Sequence, residues 1–213
     1  MTTSNPIRGL LTLTWFKTKG KIFGALVYIL ILGILYLGSE IEMIQMMFFM
    51  ACMIYLPLQV LAGMSENEGK WERFQVSLPI KRSYLLNAQY LSVVFMAIVG
   101  GIILTIGIGI STAMHEQWFN YGFASAILSS SHIYGAAFLA IGLCFTLSLV
   151  VGGFAAWIIG MLVPTLVQVL VPIIAERVGI SVYVLSVSVF AGSVVIFIAS
   201  YYIMKTMYDK ADF

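Results

Sequence analysis

The chain has 213 residues, of which 61% are hydrophobic and 9% are charged, and its formal net charge is +2. An ordinary soluble domain carries about 25% charged residues, so this composition and a mean hydropathy of +1.02 exclude a water-facing globular fold. The basic residues form short clusters, which gives no reason to expect nucleic acid as a partner. We expect an all-α, polytopic membrane protein with room for about six spans of ~20 residues, in contact with membrane lipids.

Residues 1–21 are predicted to form a cytoplasmic interfacial helix. Asn5-Pro6 supplies a capping residue followed by proline at the first helical position. Apolar residues then recur at helical spacing before a cluster of lysines, a pattern typical of a helix lying in the membrane surface. The apolar residues are Ile7, Leu10, Leu11, Trp15 and Phe16, and the lysines are Lys17, Lys19 and Lys21. The alternative is a frayed tail anchored by its tryptophan.

Residues 22–213 are predicted to form a six-helix transmembrane domain. Uncharged runs at 22–39 and 43–65 predict the first two spans, and the third lies within 83–114, a stretch long enough to tilt or protrude. The last span is predicted at about 181–204. Between them, the stretch 117–175 contains no Asp, Glu, Lys or Arg and could hold one, two or three crossings.

The distribution of basic residues resolves the number of crossings, because Lys and Arg concentrate on the cytoplasmic side of membrane proteins. Two crossings within 117–175 place both termini and the loop 66–82 in the cytoplasm, and only Arg177 of the 11 basic residues outside. A turn at Gly152-Gly153 would then separate a fourth span at 133–151 from a fifth at 154–171. The sequence therefore predicts six spans with both ends inside.

The spans lack the groups that an intramembrane enzyme or an ion-coupled carrier requires. No Asp or Glu falls at mid-span, and His115 and His132 do not have metal-ligand spacing. The chain contains no Gly-x-x-x-x-Gly-Lys-Ser/Thr phosphate loop, so we expect it to bind neither ATP nor a metal ion. If this protein moves a cargo, a partner supplies the energy.

Two surfaces within the spans could serve packing or function. The third and fourth spans carry small residues at every fourth position, which favours close helix packing within the chain over a seam between subunits. These are Ala97, Gly101, Thr105 and Gly109, and then Ala136, Ala140, Cys144, Ser148 and Gly152. The second span instead presents an adaptable surface of Met46, Phe49, Met50 and Met53, which could also be ordinary lipid-facing or core packing.

The loop between the second and third spans is the most informative segment. Trp71 and Phe74 are three residues apart, so a short helix would present both on one face. An exposed aromatic pair needs a cover, which could be the bilayer interface or a groove on a soluble protein. The rest of this predicted helix is charged or polar and includes Glu66, Glu68, Lys70, Glu72 and Arg73.

The run from Glu68 to Leu91, EGKWERFQVSLPIKRSYLLNAQYL, resembles the signature of small ABC-2 type permeases. In that family an acidic-aromatic helix is followed by a Ser-Leu-Pro-x-x-Arg turn, here with Leu78, Pro79 and Arg82, and by a third span that opens with Gln-Tyr-Leu. The resemblance extends to peptide-toxin exporters of the type that secretes phenol-soluble modulins. The uncharged turn near Gly152 departs from many relatives and puts a second coupling contact in doubt.

The resemblance implies a half-transporter of the bacterial cell membrane that is not itself an enzyme. Two permease copies would associate, and separate ATP-binding cassette ATPases, which bind ATP and Mg²⁺, would dock on 66–74 as a coupling helix. The resemblance also places the second and fifth spans at the centre, and thus Met46, Phe49, Met50 and Met53 on a candidate translocation path. The cargo would be amphipathic peptides or other hydrophobic compounds. The alternative is a non-transporting immunity or sensor protein.

Overall fold

The computed structural model describes residues 6–38, 42–65, 82–114, 127–128, 130–151 and 153–210. Within these ranges the long elements are all helices and no strand occurs. The elements are α1 (Pro6–Gly38), α2 (Glu42–Met50), a π-helical turn (Ala51–Tyr55), α3 (Leu56–Ser65), α4 (Arg82–Met114), α5 (Ser131–Val151), α6 (Gly153–Val178) and α7 (Val182–Lys210). Because α2, the π-helical turn and α3 follow one another without a gap, they form one continuous rod.

Four of these helices are long and apolar enough to cross a membrane, over residues 7–38, 83–111, 158–178 and 182–207. Two further apolar helical segments, at 44–60 and 131–147, are shorter. The all-helical architecture of a multi-pass membrane protein is therefore confirmed, whereas the count of six spans stays a prediction. The break between α5 and α6 falls at the predicted Gly152-Gly153 turn.

Helices α1 and α4 each contain 33 residues. At 1.5 Å per residue such a helix is about 50 Å long, which exceeds the ~30 Å hydrocarbon core of a bilayer. Helix α1 continues without a break through Lys21, so the predicted interfacial segment and the predicted first span are parts of one helix. The predicted cap at Asn5 lies outside the described residues.

The helices pack in two groups. In the first group, α1, α2, α3 and α4 share a core in which Tyr36 of α1 stacks on Phe48 of α2 with ring centroids 5.0 Å apart. Gly107 of α4 leaves room for the Phe48 ring, because a methyl group at Gly107 would lie 2.8 Å from that ring. In the second group, α5 lies between α6 and α7 and packs extensively on both.

The small residues of α5 explain its central position. Ala136, Ala140 and Cys144 are buried, and the Cys144 thiol donates a hydrogen bond of 3.4 Å to the carbonyl of Ala156 on α6. Gly160 of α6 accommodates the Cys144 sulfur, since a methyl group at Gly160 would overlap it. These three members of the predicted stripe therefore serve packing within the chain.

A second set of small residues, which the sequence reading overlooked, faces α7. A methyl group at Gly135 would lie 2.7 Å from the Cα of Phe190, and one at Gly142 would lie 3.3 Å from the Cα of Phe197. Gly142 follows Gly135 by seven residues, and Phe197 follows Phe190 by seven residues. Helices α5 and α7 therefore run parallel. Absence of a side chain at these two glycines lets the backbones approach closely.

Tyr90 joins the two groups. It lies on α4, is 5% exposed, and stacks on Phe145 of α5 with ring centroids 4.0 Å apart. Its hydroxyl is 3.2 Å from the hydroxyl of Ser200 on α7, and nearby Tyr201 donates a hydrogen bond of 2.7 Å to the Asn87 side chain. The start of α4 is thereby connected to the second helix group.

The outer faces of the helices are apolar. On α4, Phe95, Ile98, Ile102 and Ile106 recur at helical spacing and are each more than half exposed. Such a stripe would be unfavourable in water and is the expected surface of a helix that contacts lipid. The exposed stripe thus agrees with the membrane location that the composition predicted.

Candidate functional site

The predicted coupling loop connects two helices of the first group. Helix α3 ends at Ser65 and α4 begins at Arg82, and these helices pack on each other. The predicted docking residues and the predicted turn lie outside the described residues. They are Glu66, Glu68, Lys70, Trp71, Glu72, Arg73, Phe74, Leu78 and Pro79, while Arg82 is the first residue of α4. Their contact with an ATPase stays a prediction.

The four residues of the predicted path do not share one surface in this structure. Met53 is buried against α4, where its sulfur would lie 3.8 Å from a methyl group at Gly101, and Phe49 packs edge-on against Tyr36 of α1. Met46 and Met50 are half-buried. A π turn contains more residues than an α turn, so side chains from Ala51 onward lie on a different face than in an uninterrupted α-helix.

Met50 does lie at an open groove between the two helix groups. The groove has a volume of about 420 Å³, and residues of α1, the α2–α3 rod and α6 form its walls. We call it the methionine groove, lined by Tyr28, Met47, Met50, Ala51, Tyr55 and Met161. None of these residues is charged, so the groove is suited to apolar groups, and the flexible methionines can adapt to different shapes. The sequence reading identified Met50 but overlooked Tyr28, Tyr55 and Met161.

Few contacts join the two helix groups beside the groove. Helix α6 packs mainly on α5, and its contact with α2 consists of side chains such as Thr165, whose hydroxyl lies 3.8 Å from the Met50 sulfur. The same hydroxyl donates a hydrogen bond of 2.7 Å to the Met161 carbonyl, so Thr165 is satisfied by its own helix. Among the described residues, the contacts between α2 and α6 are therefore weak.

The π-helical turn, which contributes Ala51 and Tyr55 to the groove, has an identifiable cause. Pro57 has no N–H, and its ring would clash with the carbonyl four residues earlier in an α-helix. The Leu56 N–H donates a hydrogen bond to the Ala51 carbonyl, five residues earlier. In the same register residue 57 would donate to the Cys52 carbonyl, but Pro57 has no N–H to donate. Gly100 of α4 packs directly on that carbonyl, and a methyl group there would overlap it.

Gln168 is a second residue that the sequence reading overlooked. It lies on α6, is 8% exposed, and neither its amide nitrogen nor its amide oxygen has a hydrogen-bond partner. A buried polar group without a partner is rare and unfavourable, most of all in a membrane. The signal was present in the sequence, because Gln168 is the only Asn, Gln, Asp, Glu, Lys, Arg or His between His132 and Glu176.

The described residues contain no group of three His, Cys, Asp or Glu side chains that could hold a metal ion. His132 is buried, and its Nδ1 lies 3.0 Å from the Ser186 hydroxyl, a contact between α5 and α7. This histidine therefore joins two helices. His115 lies outside the described residues.

The comparison with known proteins agrees with the architecture. A family model described as ABC-2 family transporter protein matches residues 11–209, which is nearly the whole chain. No curated protein and no solved structure shows a significant match. ABC-2 family membrane proteins are the permease components of transporters and generally pair with an ATP-binding cassette ATPase. The chain belongs to the ABC-2 family of transporter membrane proteins.

Proposed function

We propose that this protein is the membrane-spanning permease subunit of an ATP-binding cassette exporter that moves amphipathic peptides or other hydrophobic compounds out of a bacterial cell. The observation that carries this proposal is the methionine groove, an uncharged opening where the two helix groups of an ABC-2 family chain meet. Flexible methionine side chains accommodate apolar cargo of different shapes. Two copies of the chain would form the complete pathway.

The energy for export would come from a separate subunit. The described residues that line the groove include no Asp, Glu, Lys or Arg, and the sequence contains no phosphate-binding loop, so proton coupling and ATP binding by this chain are both disfavoured. ATP and Mg²⁺ would be bound by the ATPase partner. Closure of that partner would move the loop 66–82 and shift the helices that it connects, α3 and α4.

The proposed topology has six spans with both termini and the loop 66–82 in the cytoplasm. The six spans are α1, the α2–α3 rod, α4, α5, α6 and α7. The positive-inside distribution supports this order. Trp15 and Phe16 are 49% and 62% exposed, and the Lys19 ammonium lies 5.0 Å from the Phe16 ring centroid, which suits a membrane–water interface at the start of α1.

The docking of the ATPase can be tested at the two aromatic residues of the loop. If Trp71 and Phe74 fill a groove on the ATPase, loss of either side chain should weaken docking by ~2 kcal/mol or more, roughly a thirtyfold loss in affinity. The experiment compares the Trp71→Ala, Phe74→Ala double variant with a Glu68→Ala control that removes only a charge at the rim. The control should change association modestly and in a salt-dependent way.

The readouts are the yield of the co-purified complex and the hydrolysis of ATP stimulated by cargo. Wild-type values of both in the double variant would mean that the aromatics only anchor the loop in the bilayer, and the coupling-helix assignment would be rejected. If no ATPase associates even with the wild-type chain, the alternative of a non-transporting immunity or sensor protein would replace the transport proposal.

A further inference from the structure

The side chain of Gln168 is buried at a depth where water is scarce. It lies 15 residues after Gly153 and 10 residues before Val178, so it is about 22 Å from the start of α6 and about 15 Å from its end. Both polar atoms of its amide are buried without a partner. Because hydrocarbon cannot supply a hydrogen bond, an amide sealed in this way raises the free energy of the state that contains it.

Gln168 lies on the α6 face that borders the methionine groove. Met161 of the groove, Thr165 and Gln168 are spaced by four and then three residues, and residues at this spacing share one face of an α-helix. Thr165 contacts Met50 directly across the α2–α6 interface. The Gln168 amide is therefore two turns beyond Met161, about 10 Å along the same wall.

We propose that Gln168 determines the specificity of the path by binding an amide group of the cargo, while the apolar part of the cargo occupies the methionine groove. This inference rests on the transport function proposed above and names the chemical class of its cargo. In the state described here the amide is sealed, and it becomes accessible when α6 separates from α2 across the weak Met50–Thr165 contact. The partner that Gln168 lacks in the closed state is then supplied by the cargo.

The chemistry of the site indicates a neutral amide as the group that binds. A glutamine side chain offers donors and an acceptor together, so it pairs with both the N–H and the C=O of an amide. A charged head group would lose its hydration without gaining a counter-ion, since none of the described residues that line the groove is charged. An apolar chain that carries an amide occurs in amphipathic peptides and also in N-acyl lipids.

Photoaffinity labelling of the purified full-length protein in lipid nanodiscs tests this inference. Two photoreactive probes with the same twelve-carbon chain are compared: dodecanamide, which has donors and an acceptor, and methyl dodecanoate, which has acceptors only. Both probes require the same opening of α6, so the ratio of their labelling isolates the pairing with the amide. In wild type we expect dodecanamide to label the groove about tenfold more strongly, because only the amide can donate a hydrogen bond to the Gln168 side-chain oxygen, which the ester leaves unpaired.

Gln168→Leu should abolish this preference and leave labelling by the ester unchanged. Gln168→Met, which keeps an unbranched side chain of similar size, should have the same effect. Gln59→Leu is the matched control, because it removes an amide from α3 outside the groove, and it should retain the tenfold preference. Both Gln168 variants should also have a higher melting temperature than wild type, since they remove an unpartnered polar group from the interior.

An excess of unlabelled amphipathic peptide separates the two sources of the amide. Competition by the peptide assigns the site to peptide cargo, whereas competition only by an N-acyl lipid assigns it to a lipid. Equal labelling by the two probes in wild type, an unchanged preference in Gln168→Leu, or a lower melting temperature of both Gln168 variants would each overturn the inference. The assay contains no ATP and no ATPase, so its failure is distinct from a failure of the transport function.

Discussion

Gly100→Ala should destabilise the protein at the contact between α4 and the π-helical turn. A methyl group at Gly100 would overlap the Cys52 carbonyl and lie 2.9 Å from its carbon atom. The obstacle is backbone, so no side-chain rotation can relieve the clash. Helix α4 would have to move away from the rod that α2, the π-helical turn and α3 form, although residues of both belong to one continuous core that also includes residues of α5.

The expected magnitude follows from the packing that this movement would disrupt. Inserting a methyl group into a close-packed core costs about 1–3 kcal/mol. The higher helix propensity of alanine offsets up to about 1 kcal/mol of this. We therefore expect a net loss of up to about 2 kcal/mol in the free energy of unfolding, and a loss of about 1–3 kcal/mol relative to a Gly→Ala change that meets no clash.

Gly101→Ala is the matched control, because the methyl group at this neighbouring position would lie 3.5 Å from the Tyr134 ring, an ordinary van der Waals contact. Its stability should equal or slightly exceed that of wild type. The assay is unfolding of the purified proteins in mixed micelles of increasing SDS content, followed by tryptophan fluorescence. Equal stability of the two variants would refute the reasoning that the Cys52 carbonyl fixes the position of α4.

Three further outcomes follow from the described contacts. Gly160→Ala should destabilise the α5–α6 pair, because the new methyl group would clash with the Cys144 sulfur. Adding Cys144→Ala should restore much of the lost stability, and SDS unfolding of the single and double variants measures both effects. Tyr90→Phe should cost about 0.5–1.5 kcal/mol through the lost hydrogen bond to Ser200, with little further loss when Ser200→Ala is added. A cysteine introduced at Lys70 should react with an impermeant maleimide only after cell lysis, whereas both native cysteines are buried and should stay unlabelled.

The positions of charged residues and one glycine pair predicted most of the helix boundaries. Arg82–Met114 differs by one residue from the third predicted span, and the break between α5 and α6 falls at the predicted glycine pair. Boundaries next to charged residues are predictable because a charged side chain in hydrocarbon is so unfavourable that its position marks the end of a span. The length of α1 was less predictable, since an interfacial segment and a span differ in their surroundings and can share one helix.

The candidate site was less predictable, because it depends on which faces meet. The sequence reading placed Met50 and Met53 on one surface, which holds for an unbroken α-helix, but the π-helical turn directs Met53 into the core. Pro57 could have indicated a kink without revealing that the helix would widen instead. Gln168 was overlooked because only charged side chains were counted inside the spans. An uncharged amide without a hydrogen-bond partner is also unfavourable in a membrane. A lone Gln within a predicted span is therefore a candidate functional residue, as a charged side chain would be.

The arrangement in two groups predicts where the protein moves during transport. Small residues let α5 pack closely on α6 and α7, whereas the contacts described between α6 and α2 involve side chains, such as Thr165 on Met50. Opening the α2–α6 interface should therefore cost less free energy than separating α5 from α6 or α7. A link between α2 and α6 should therefore stop export, while a link within the second group should not.

Met50→Cys with Thr165→Cys, joined by a short bifunctional thiol reagent, supplies the first link. Gly142→Cys with Ser200→Cys supplies the control, because a methyl group at Gly142 would lie 3.6 Å from the Ser200 Cβ, within the range for a disulfide between α5 and α7. Cargo export from inverted vesicles or proteoliposomes is measured before and after linking. We expect loss of export for the first pair, with recovery when a cleavable reagent is reduced, and retained export for the control. Full export with α2 linked to α6 would mean that this interface stays closed throughout the cycle, and that cargo takes a route that does not pass the methionine groove.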